Sequence, residues 1–381
     1  MRKVIAVTGS RADYGILRSV LYAIRRYKSL KASLIVTCMH LDDQFGYTLE
    51  EIKKDGFAIA GTVDILTQSD TLASMAQAVG RGIIGIAEIL KKKKPDILLV
   101  NTDRFETLAA AIAGAFMNIP VAHMHGGEVS GSIDESIRHA ITKFAHIHFP
   151  STKENAKRII RLGEDPKRVF VVGAAGLGFI LSKKLLPPKA IFQKYKLDSK
   201  RPIFLVVQHP VTTEVGQSAR QIRQTLEAIT EIKEQTVIIY PNADAGGRAM
   251  IRTIKKYLRY SFIKAYKSLP HLDYLSLMRV AKVMIGNSSS GIIEAPSFKL
   301  PVVNIGTRQD GRQRASNVID VGYNKKEILV GIHKALYERK FLRRLKKCIN
   351  PYGDGKAGAR IAKLLNKIKI SEELLNKKIT Y

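Results

Sequence analysis

Histidine, acidic and arginine side chains follow one predicted strand closely. The stretch HMHGGEVSGSIDESIRHA, residues 123–140, places His125 and Glu128 in a loop of small residues. Asp134 and Arg138 come next, four positions apart in a predicted helix, so they share one helix face. An imidazole, carboxylates and a guanidinium in one place suit proton transfer beside a developing negative charge. This stretch is the most specific chemical signal in the chain.

Other polar side chains also come directly after predicted strands. In open α/β sheets, ligands bind beyond the carboxyl ends of the strands. The residues in such positions in the first half are Arg11, Asp13, His40 and Asp103, and in the second half they are His209, Asn242, Asp244, Ser288, Ser289 and Arg308. Both sets follow the carboxyl ends of the strands in their own half. The sequence therefore predicts a cleft to which both halves contribute functional side chains.

The motif GNSSSG at residues 286–291 indicates an anion site. It joins a predicted strand to a predicted helix, so its N–H groups and hydroxyls would face an anion at a helix N-terminus. Capping a helix needs one serine, and three exceed that need. Glu294, one turn further on, is a candidate for the hydroxyls of a ribose. Arg11 and Arg308 are candidates for clamping a diphosphate.

The histidines of this region do not predict a metal site. Five of them scatter over strand, loop and helix without a recognised ligand spacing: His123, His125, His139, His146 and His148. His146 and His148 lie on an apolar strand, so we expect structural roles, with one of the two pointing to the core and bonding to backbone. No metal is expected.

The elements that must position these residues alternate between strands and helices. The strands predicted in the first half are residues 4–8, 34–39, 96–101, 120–124, 147–150 and 169–172, and the helices are 14–27, 71–94, 106–117, 134–145 and 153–162. Such alternation predicts parallel βαβ units and a sheet covered on both faces.

A break at residues 173–178, with Pro187 and Pro188 soon after, is typical of an interdomain connection. The alternation then restarts. The strands predicted in the second half are residues 202–207, 236–240, 261–264, 282–286 and 301–305, and the helices are 217–233, 247–260, 272–281 and 290–297. The fold class is therefore α/β, with two Rossmann-like, doubly wound domains.

Composition agrees with two domains and leaves one feature to interpret. The chain has 381 residues, 45% of them hydrophobic, and a formal net charge of +30. Clustered basic residues would favour nucleic-acid binding, but here they are spread along the chain, and the densest run, residues 91–94, closes a predicted helix. No zinc finger or helix-turn-helix signature is found. We expect no nucleic-acid partner, although a positive field would attract a nucleotide diphosphate.

The chain carries no predicted membrane span or signal peptide. Its longest apolar stretch, residues 108–122, is interrupted by Asn118 and Pro120. The opening MRKVIAVTGSR has only a four-residue apolar run, which predicts a strand. Cys38 and Cys348 form no metal spacing and no disulfide framework. A reducing cytoplasm is the expected compartment.

The motifs together resemble those of the hydrolysing UDP-N-acetylglucosamine 2-epimerases, which initiate the synthesis of sialic and related nonulosonic acids. The resemblance extends from SRADYG at residues 10–15 to NPYGDG at residues 350–355. Between them, in order, stand TDRFETL, HMHGGEVSGSIDESIRHAITK, QHPVTTE, YPNADAG, GNSSSGIIEA and GTRQDGR. It implies a GT-B arrangement with domains at residues 1–178 and 179–354, and a C-terminal helix, within 355–381, that crosses back to the first domain.

The resemblance also implies a reaction without a cofactor, in which UDP and the C2 proton leave and water then adds to a 2-acetamidoglucal. The catalytic residues it implies are Asp103, Asp134, Arg138 and His209. The residues that would hold UDP are Arg11, Ser288, Ser289, Glu294 and Arg308, and the strand-end residues Asp13, His40, Asn242 and Asp244 complete the predicted binding set.

Two positions depart from the family pattern. His125 stands where relatives often carry a catalytic glutamate, so either His125 or Glu128 would supply the base. Gly178 stands where an aspartate is expected in the interdomain motif.

Several alternatives remain open from the sequence. The sugar would be N-acetylglucosamine or N,N'-diacetylbacillosamine, the latter carried by UDP or GDP. A non-hydrolysing 2-epimerase is disfavoured because its loop resembles HVEAGLRS rather than HMHGGEVS. A glycosyltransferase would not need the acidic and histidine cluster. A nucleic-acid-binding protein is supported by charge alone. A homodimer or homotetramer is a family expectation.

Overall fold

The protein is described by a computed structural model that covers residues 1–67, 69–180 and 185–381. The strands are β1 Arg2–Thr8, β2 Leu30–Thr37, β3 Ala58–Val63, β4 Ile97–Asn101, β5 Val121–Met124, β6 Ile147–Phe149, β7 Ile203–Val207, β8 Gln235–Ile239, β9 Ile263–Tyr266, β10 Val283–Gly286, β11 Val302–Ile305 and β12 Val318–Val321. The helices are α1 Arg11–Ile24, α2 Leu49–Lys54, α3 Leu72–Lys93, α4 Phe105–Phe116, α5 Ile133–Phe144, α6 Lys153–Arg161, α7 Pro188–Lys194, α8 Ser218–Ile232, α9 Gly247–Tyr257, α10 His271–Val280, α11 Ser290–Ile293, α12 Lys325–Tyr337, α13 Arg339–Lys346, α14 Ala357–Lys367 and α15 Glu372–Leu375.

Each half of the chain forms one six-stranded parallel sheet. The strand orders are β3-β2-β1-β4-β5-β6 and β12-β11-β10-β7-β8-β9. The central strands β4 and β7 are buried along their whole length, and apart from Asn101 at the end of β4 they are apolar, as expected when helices cover both faces. This architecture confirms the predicted α/β class with two doubly wound domains.

The strand order places a crevice in each half. The order reverses between β1 and β4 in the first sheet, and between β7 and β10 in the second. At such a switch point, the helices that follow the two strands lie on opposite faces of the sheet, so a gap opens beyond the carboxyl ends. The segments that follow β1, β4, β7 and β10 therefore meet at the cleft.

The end of the chain packs on its beginning. Helix α14 lies on α1, and the close approach is made at Gly358, where a Cβ would lie 2.7 Å from the Ser19 carbonyl oxygen. Ile361 and Leu365 join the buried cluster of the first half. Arg2 donates to the carbonyl of Leu365. The exact domain boundaries stay a prediction.

Some predicted elements differ from the structure. Residues 169–172 do not form a strand, because only Val169 makes a bridge, to His148, beyond the short β6. The edge strands β3 and β12 were not predicted, and neither were helices α2, α12 and α13.

Helix α3 has a property that the sequence analysis did not assign to it. By length and composition it could cross a membrane, and 17% of the apolar window that qualifies is buried. Two of its glycines lie against neighbouring elements: a Cβ at Gly82 would meet Ala109, and one at Gly85 would meet Val63. One helix of this kind does not establish a membrane span.

Candidate active site

The cleft between the two sheets holds two adjoining cavities. The predicted residues that line the larger cavity are Arg11, Asp13, Asp103, His209, Asn242, Ser288, Ser289, Glu294 and Arg308. The predicted residues that line the smaller cavity are Asp103, His125, Glu128, Asp134, Ser289 and Arg308. Residues from both halves of the chain therefore share one site, and Asp103, Ser289 and Arg308 face both cavities.

The chain enters the site through tight turns at the strand ends. Cys38, Thr102 and His125 directly follow β2, β4 and β5, and each has a positive φ, between 56° and 63°. Non-glycine residues seldom adopt this conformation, which costs about 1–3 kcal/mol and persists where the surroundings enforce it. The turns at Thr102 and His125 bring Asp103 and the histidine loop to the cleft.

Asp103 is held by a buried arginine. The Arg138 side chain is 1% exposed and donates to the carboxylate of Asp103 and to the carbonyl oxygen of Glu128, at 2.9 Å in the second case. Burial favours the neutral acid, but Arg138, with Arg312 and Arg308, lowers the pKa of Asp103 below its ordinary value. Arg138 lines neither cavity, so its geometry is that of a residue that positions Asp103.

Asp134 lies nearby, and its pKa is shifted in the direction opposite to that of Asp103. Burial first, and then the charge of Asp103, raise the pKa of Asp134. Its carboxylate accepts from Arg308 of the second half at 3.1 Å. Two neighbouring carboxyl groups whose pKa values are pushed apart can take different roles in proton transfer. Asp103 is the ionised member and Asp134 the one that can carry a proton.

His125 and Glu128 form a hydrogen-bonded pair. The distance from His125 Nδ1 to Glu128 Oε1 is 3.0 Å, and the Ser151 hydroxyl lies 2.9 Å from the same nitrogen. Burial opposes ionisation of Glu128, but Arg312 and His125 lower its pKa, so it is a carboxylate that only accepts. Because a carboxylate only accepts, Nδ1 of His125 carries a proton, and Nε2 is buried with no partner among the described residues.

We call Asp103, His125, Glu128 and Asp134 the acid–base cluster. Of these, Glu128 has both carboxylate oxygens bound, one by His125 and the other by Arg312. His125 keeps a free nitrogen at the smaller cavity. Between the two candidates for the base, the geometry favours His125.

His209 faces the larger cavity from the second half. Its Nδ1 accepts from the backbone N–H of Asn242 at 3.1 Å, which places the ring proton on Nε2. Burial, followed by Arg308 and other nearby guanidinium groups, lowers the pKa of His209 well below its ordinary value. Asn287 fixes the backbone of His209 by two hydrogen bonds, at 2.7 and 2.9 Å. His209 is thus a neutral hydrogen-bond donor.

The other end of the larger cavity suits an anion. We call Arg11, Tyr274, Ser288, Ser289 and Glu294 the anion pocket. The Arg11 guanidinium lies 4.9 Å from the centre of the Tyr274 ring, and its buried Nη1 has no hydrogen-bond partner in the described part of the chain. A buried cation without an acceptor is costly unless a ligand supplies one.

Hydroxyls and one carboxyl group complete the anion pocket. The Ser288 and Ser290 hydroxyls are 2.9 Å apart, and Tyr274 lies 2.5 Å from Ser290. Burial raises the pKa of Glu294 to about 7. A neutral or weakly ionised Glu294 can both donate to and accept from ribose hydroxyls.

Two of the predicted substrate-binding residues have contacts inside the protein instead. The ring nitrogens of His40 lie 3.0 Å from Thr8 and 2.6 Å from Thr48, and His40 lines neither cavity. Asp244 accepts from Arg104 at 2.6 Å and from Asn242 at the same distance, and it also lies outside both cavities.

Asp13 lines the cavity but is largely bound. It accepts from the Gly9 N–H at 3.1 Å and from the Asn101 side chain at 2.5 Å, and burial raises its pKa to about 7. Its hydrogen bonds shape the turn after β1 more than they offer a group to a ligand.

His146 and His148 have contacts inside the protein. His146 Nδ1 accepts from the backbone N–H of Val121 at 3.1 Å, which confirms the expected bond to backbone. His148 lies 3.1 Å from Glu164. Among the described residues, no group of three histidine, cysteine, aspartate or glutamate side chains could hold a metal ion.

Sequence reasoning placed Arg104 beside Asp103 at a strand end but gave it no role, and it missed three residues that build the site: Ser151, Tyr274 and Arg312. Arg312 stands inside the quoted motif GTRQDGR, so its motif was a signal. Ser151 and Tyr274 reach the site only through packing of elements that are distant in sequence, and no local pattern identifies them.

Comparison with known proteins agrees with this geometry. A sequence-family model described as UDP-N-acetylglucosamine 2-epimerase matches residues 22–366. The chain is 41% identical over 377 residues to UDP-N,N'-diacetylbacillosamine 2-epimerase (hydrolyzing) of Legionella pneumophila, with 99% of each chain covered. It is 36% identical over 327 residues to GDP/UDP-N,N'-diacetylbacillosamine 2-epimerase (hydrolyzing) of Campylobacter jejuni, with 85% of each covered. A crystal structure of UDP-GlcNAc 2-epimerase from Neisseria meningitidis bound to UDP-GlcNAc has the same fold, with a TM-score of 0.80 and 18% identity over 96% of this chain and 100% of that one.

Proposed function

Since the chain belongs to the UDP-N-acetylglucosamine 2-epimerase family, we propose that it is a hydrolysing 2-epimerase. It would convert a UDP-linked 2-acetamido sugar and water into UDP and the free sugar with inverted configuration at C2. The observation that carries this proposal is the free Nε2 of His125 at a cavity that Asp103 and Asp134 also line, next to a pocket in which a buried nitrogen of Arg11 has no acceptor among the described residues. That arrangement combines proton transfer with departure of an anion.

The first chemical step is an elimination. His125 Nε2 takes the proton from C2, the C1–oxygen bond breaks, and the electron pair of the C2–H bond forms the C1–C2 double bond. UDP leaves with the former bridging oxygen. His209 donates a hydrogen bond from Nε2 to the departing diphosphate, and Arg11 supplies its countercharge.

The second step is addition of water. The hydroxyl adds to C1 of the 2-acetamidoglucal, and a proton reaches C2 from the face opposite to the one that lost it. Asp134, which has a raised pKa, is the proposed proton donor. Ionised Asp103 is the proposed acceptor for the proton of the attacking water. The sum is UDP-sugar plus water giving UDP plus epimerised sugar.

The sugar has two candidates. UDP-N-acetylglucosamine is one, and UDP-N,N'-diacetylbacillosamine is the other, favoured by the identity of 41% to the Legionella pneumophila protein that bears that name. Incubating the protein with both sugars on UDP, and the second also on GDP, and following the products by proton NMR tests the choice. Release of UDP and a free C2-epimer from either sugar supports the proposal. Recovery of all sugar nucleotides unchanged would contradict it.

The same experiment separates the rival enzyme classes. A non-hydrolysing epimerase would yield an epimer still attached to UDP. A glycosyltransferase would yield no free epimer without an acceptor. Filter binding of DNA and RNA at physiological salt tests the proposal that the charge of +30 serves no nucleic-acid partner.

We also propose a homodimer or homotetramer in the cytoplasm, where Cys38 and Cys348, both buried as free thiols, would stay reduced. Light scattering on the purified chain measures the oligomeric state directly. A monomer at micromolar concentration would contradict the first part of this proposal.

A further inference from the structure

A third cavity adjoins the acid–base cluster, and we call it the back cavity. The lining residues that matter for its role are Glu128, Glu154, Asn155, Gly311, Arg312 and Gln313. It shares Glu128 and Arg312 with the smaller cavity of the active site, and it shares no lining residue with the larger one. The three cavities therefore follow one another, with the smaller cavity in the middle.

The back cavity extends from the protein surface to the acid–base cluster. Glu154, Gly311 and Gln313 are exposed, whereas Glu128 at the inner end is buried. The volume of the cavity is about 190 Å³. Since a molecule of liquid water occupies about 30 Å³, several water molecules fit between the surface and Glu128.

Two buried hydrogen-bond donors belong to side chains that line the back cavity. Asn155 is 3% exposed, and its Nδ2 has no partner in the part of the chain that the structure describes. The same holds for Nε of Arg312, whose other two nitrogens donate to Gln309 at 2.9 Å and to Glu128. Because a buried donor without an acceptor is costly, water in the cavity is the natural partner for both.

The proposed reaction consumes a water molecule at the place where the substrate is bound. A UDP-sugar that reaches from the anion pocket to the acid–base cluster occupies both the larger and the smaller cavity, so it blocks the route for water through the larger one. The water must nevertheless reach Asp103, its proposed base, which lines the smaller cavity. The back cavity meets the smaller cavity at Glu128 and Arg312, away from the nucleotide.

We propose that the back cavity is the entry path for the water that hydrolyses the intermediate, and that Asn155 and Arg312 position this water on its way past Glu128. The inference rests on the proposed function, since only a hydrolysing reaction needs such a path. The chemistry of the second step is unchanged: the water oxygen bonds to C1, and the water proton goes to Asp103. Asn155 acts on the water and not on the sugar.

The products formed by Asn155→Leu test the inference. Leucine keeps the branched shape of asparagine but removes both polar atoms, so water should reach the 2-acetamidoglucal more slowly and more of this intermediate should dissociate unhydrated. We expect the ratio of free glucal to free epimer, measured by proton NMR, to rise about tenfold, as for the loss of one hydrogen bond to water. The thermal shift caused by UDP should stay unchanged. In Asn155→Ser, which keeps a hydroxyl and leaves the cavity open, the ratio should stay close to that of the unaltered protein.

A second pair of variants alters the outer end of the back cavity, in case Asn155→Leu does not fold. Gln313 is exposed, and its backbone carbonyl accepts from the Tyr352 hydroxyl at 2.8 Å, a bond that does not depend on the Gln313 side chain. Gln313→Trp places a large side chain at the entrance and should raise the ratio of glucal to epimer. Gln313→Ala keeps the entrance open and should not raise it.

The Asn155 pair decides the inference, and the Gln313 pair replaces it only if Asn155→Leu does not fold. A folded Asn155→Leu with the product ratio of the unaltered protein would overturn the inference, and so would equal rises in Asn155→Leu and Asn155→Ser. For the Gln313 pair, no difference between the tryptophan and alanine variants would overturn it. Failure of the proposed function is distinct from these outcomes, because it would appear as absent release of UDP from every sugar nucleotide by the unaltered protein.

Discussion

The acid–base cluster and the anion pocket share one cleft but treat their charges differently. In the cluster every carboxylate has a partner: Asp103 binds Arg138, Asp134 binds Arg308, and Glu128 binds His125 and Arg312. In the anion pocket, a buried nitrogen of Arg11 has no acceptor among the described residues. Glu294 is held neutral by burial up to about pH 7.

This difference indicates that the cluster is arranged for catalysis and the pocket for ligand binding. The cluster is organised before any ligand binds, as proton transfer requires, because groups that must reorganise during the reaction raise its barrier. In the anion pocket the buried Arg11 nitrogen has no acceptor among the described residues, so binding of a diphosphate would lower the free energy of the pocket. Chemistry and binding should therefore be separable by mutation.

The largest expected effect is in the cluster. Asp103→Asn keeps the shape of the side chain but removes a carboxylate that can move a proton, so turnover should fall by about 10²-fold or more, with UDP binding nearly intact. Steady-state UDP release measures the first quantity and thermal shift the second. Asp310→Asn, at a carboxylate 62% exposed on the opposite loop, should keep normal turnover.

His125→Gln sharpens the same point. The amide can still accept from a neighbour, but it cannot take the C2 proton, so we expect a loss of turnover comparable with that of Asp103→Asn. If both variants kept the rate of the unaltered protein, the acid–base cluster would not be the site of the reaction.

The anion pocket should respond through binding. UDP at about one hundred times its dissociation constant should stabilise the protein by about 2.7 kcal/mol, which a thermal shift assay detects. Changing Ser288 and Glu294 together to alanine should remove most of that shift, whereas Asp103→Asn should retain it. An undiminished UDP shift in the double variant would place the nucleotide elsewhere.

The smallest effect concerns Glu294 and pH. Because burial raises its pKa to about 7, the folded protein keeps this proton over a range in which the unfolded chain, with a pKa near 4.5, has lost it. Stability contributed by Glu294 is therefore present at low pH and is lost as the pH rises towards 7.

Glu294→Gln cannot ionise, so it isolates this contribution. The melting temperature of the variant minus that of the unaltered protein should become more positive between pH 5 and pH 8, measured without ligand. A difference that stays constant or declines over this range would mean that Glu294 is ionised in the folded protein throughout.

The sequence was most informative where side chains repeat a pattern. Buried central strands such as β4 are continuous apolar runs, and the strand-end motifs follow them directly, so both the fold class and the cleft could be predicted. The edge strand β3 is made of small and partly exposed residues around Gly61 and pairs on one side only. Its weak apolar signal explains why it was missed. Residues 169–172, in contrast, were wrongly predicted to form a strand. Their β-branched run lies beyond β6, the edge strand of the first sheet, and Val171 is 45% exposed.

Within the site, residue type predicted location better than role. His40 follows a strand, as a substrate-binding residue would, but both of its ring nitrogens are hydrogen-bonded to threonine hydroxyls. Arg308 was predicted to hold a diphosphate, and in the structure it also binds Asp134 across the cleft. Contacts between the halves depend on how the two domains are placed, which no local pattern in the sequence specifies. Arg312 stands in the motif GTRQDGR, but its contact with Glu128 across the cleft could not be predicted for the same reason.

The central claim is that His125 removes the C2 proton while UDP departs, and solvent isotopes test it most directly. The reaction is run in D₂O with whichever UDP-sugar is turned over, and the free sugar is examined by NMR. Deuterium should be found at C2 of the released epimer, and a parallel reaction in H₂¹⁸O should leave the UDP unlabelled because the bridging oxygen departs with it. Protium retained at C2, or labelled UDP, would contradict elimination as the mechanism.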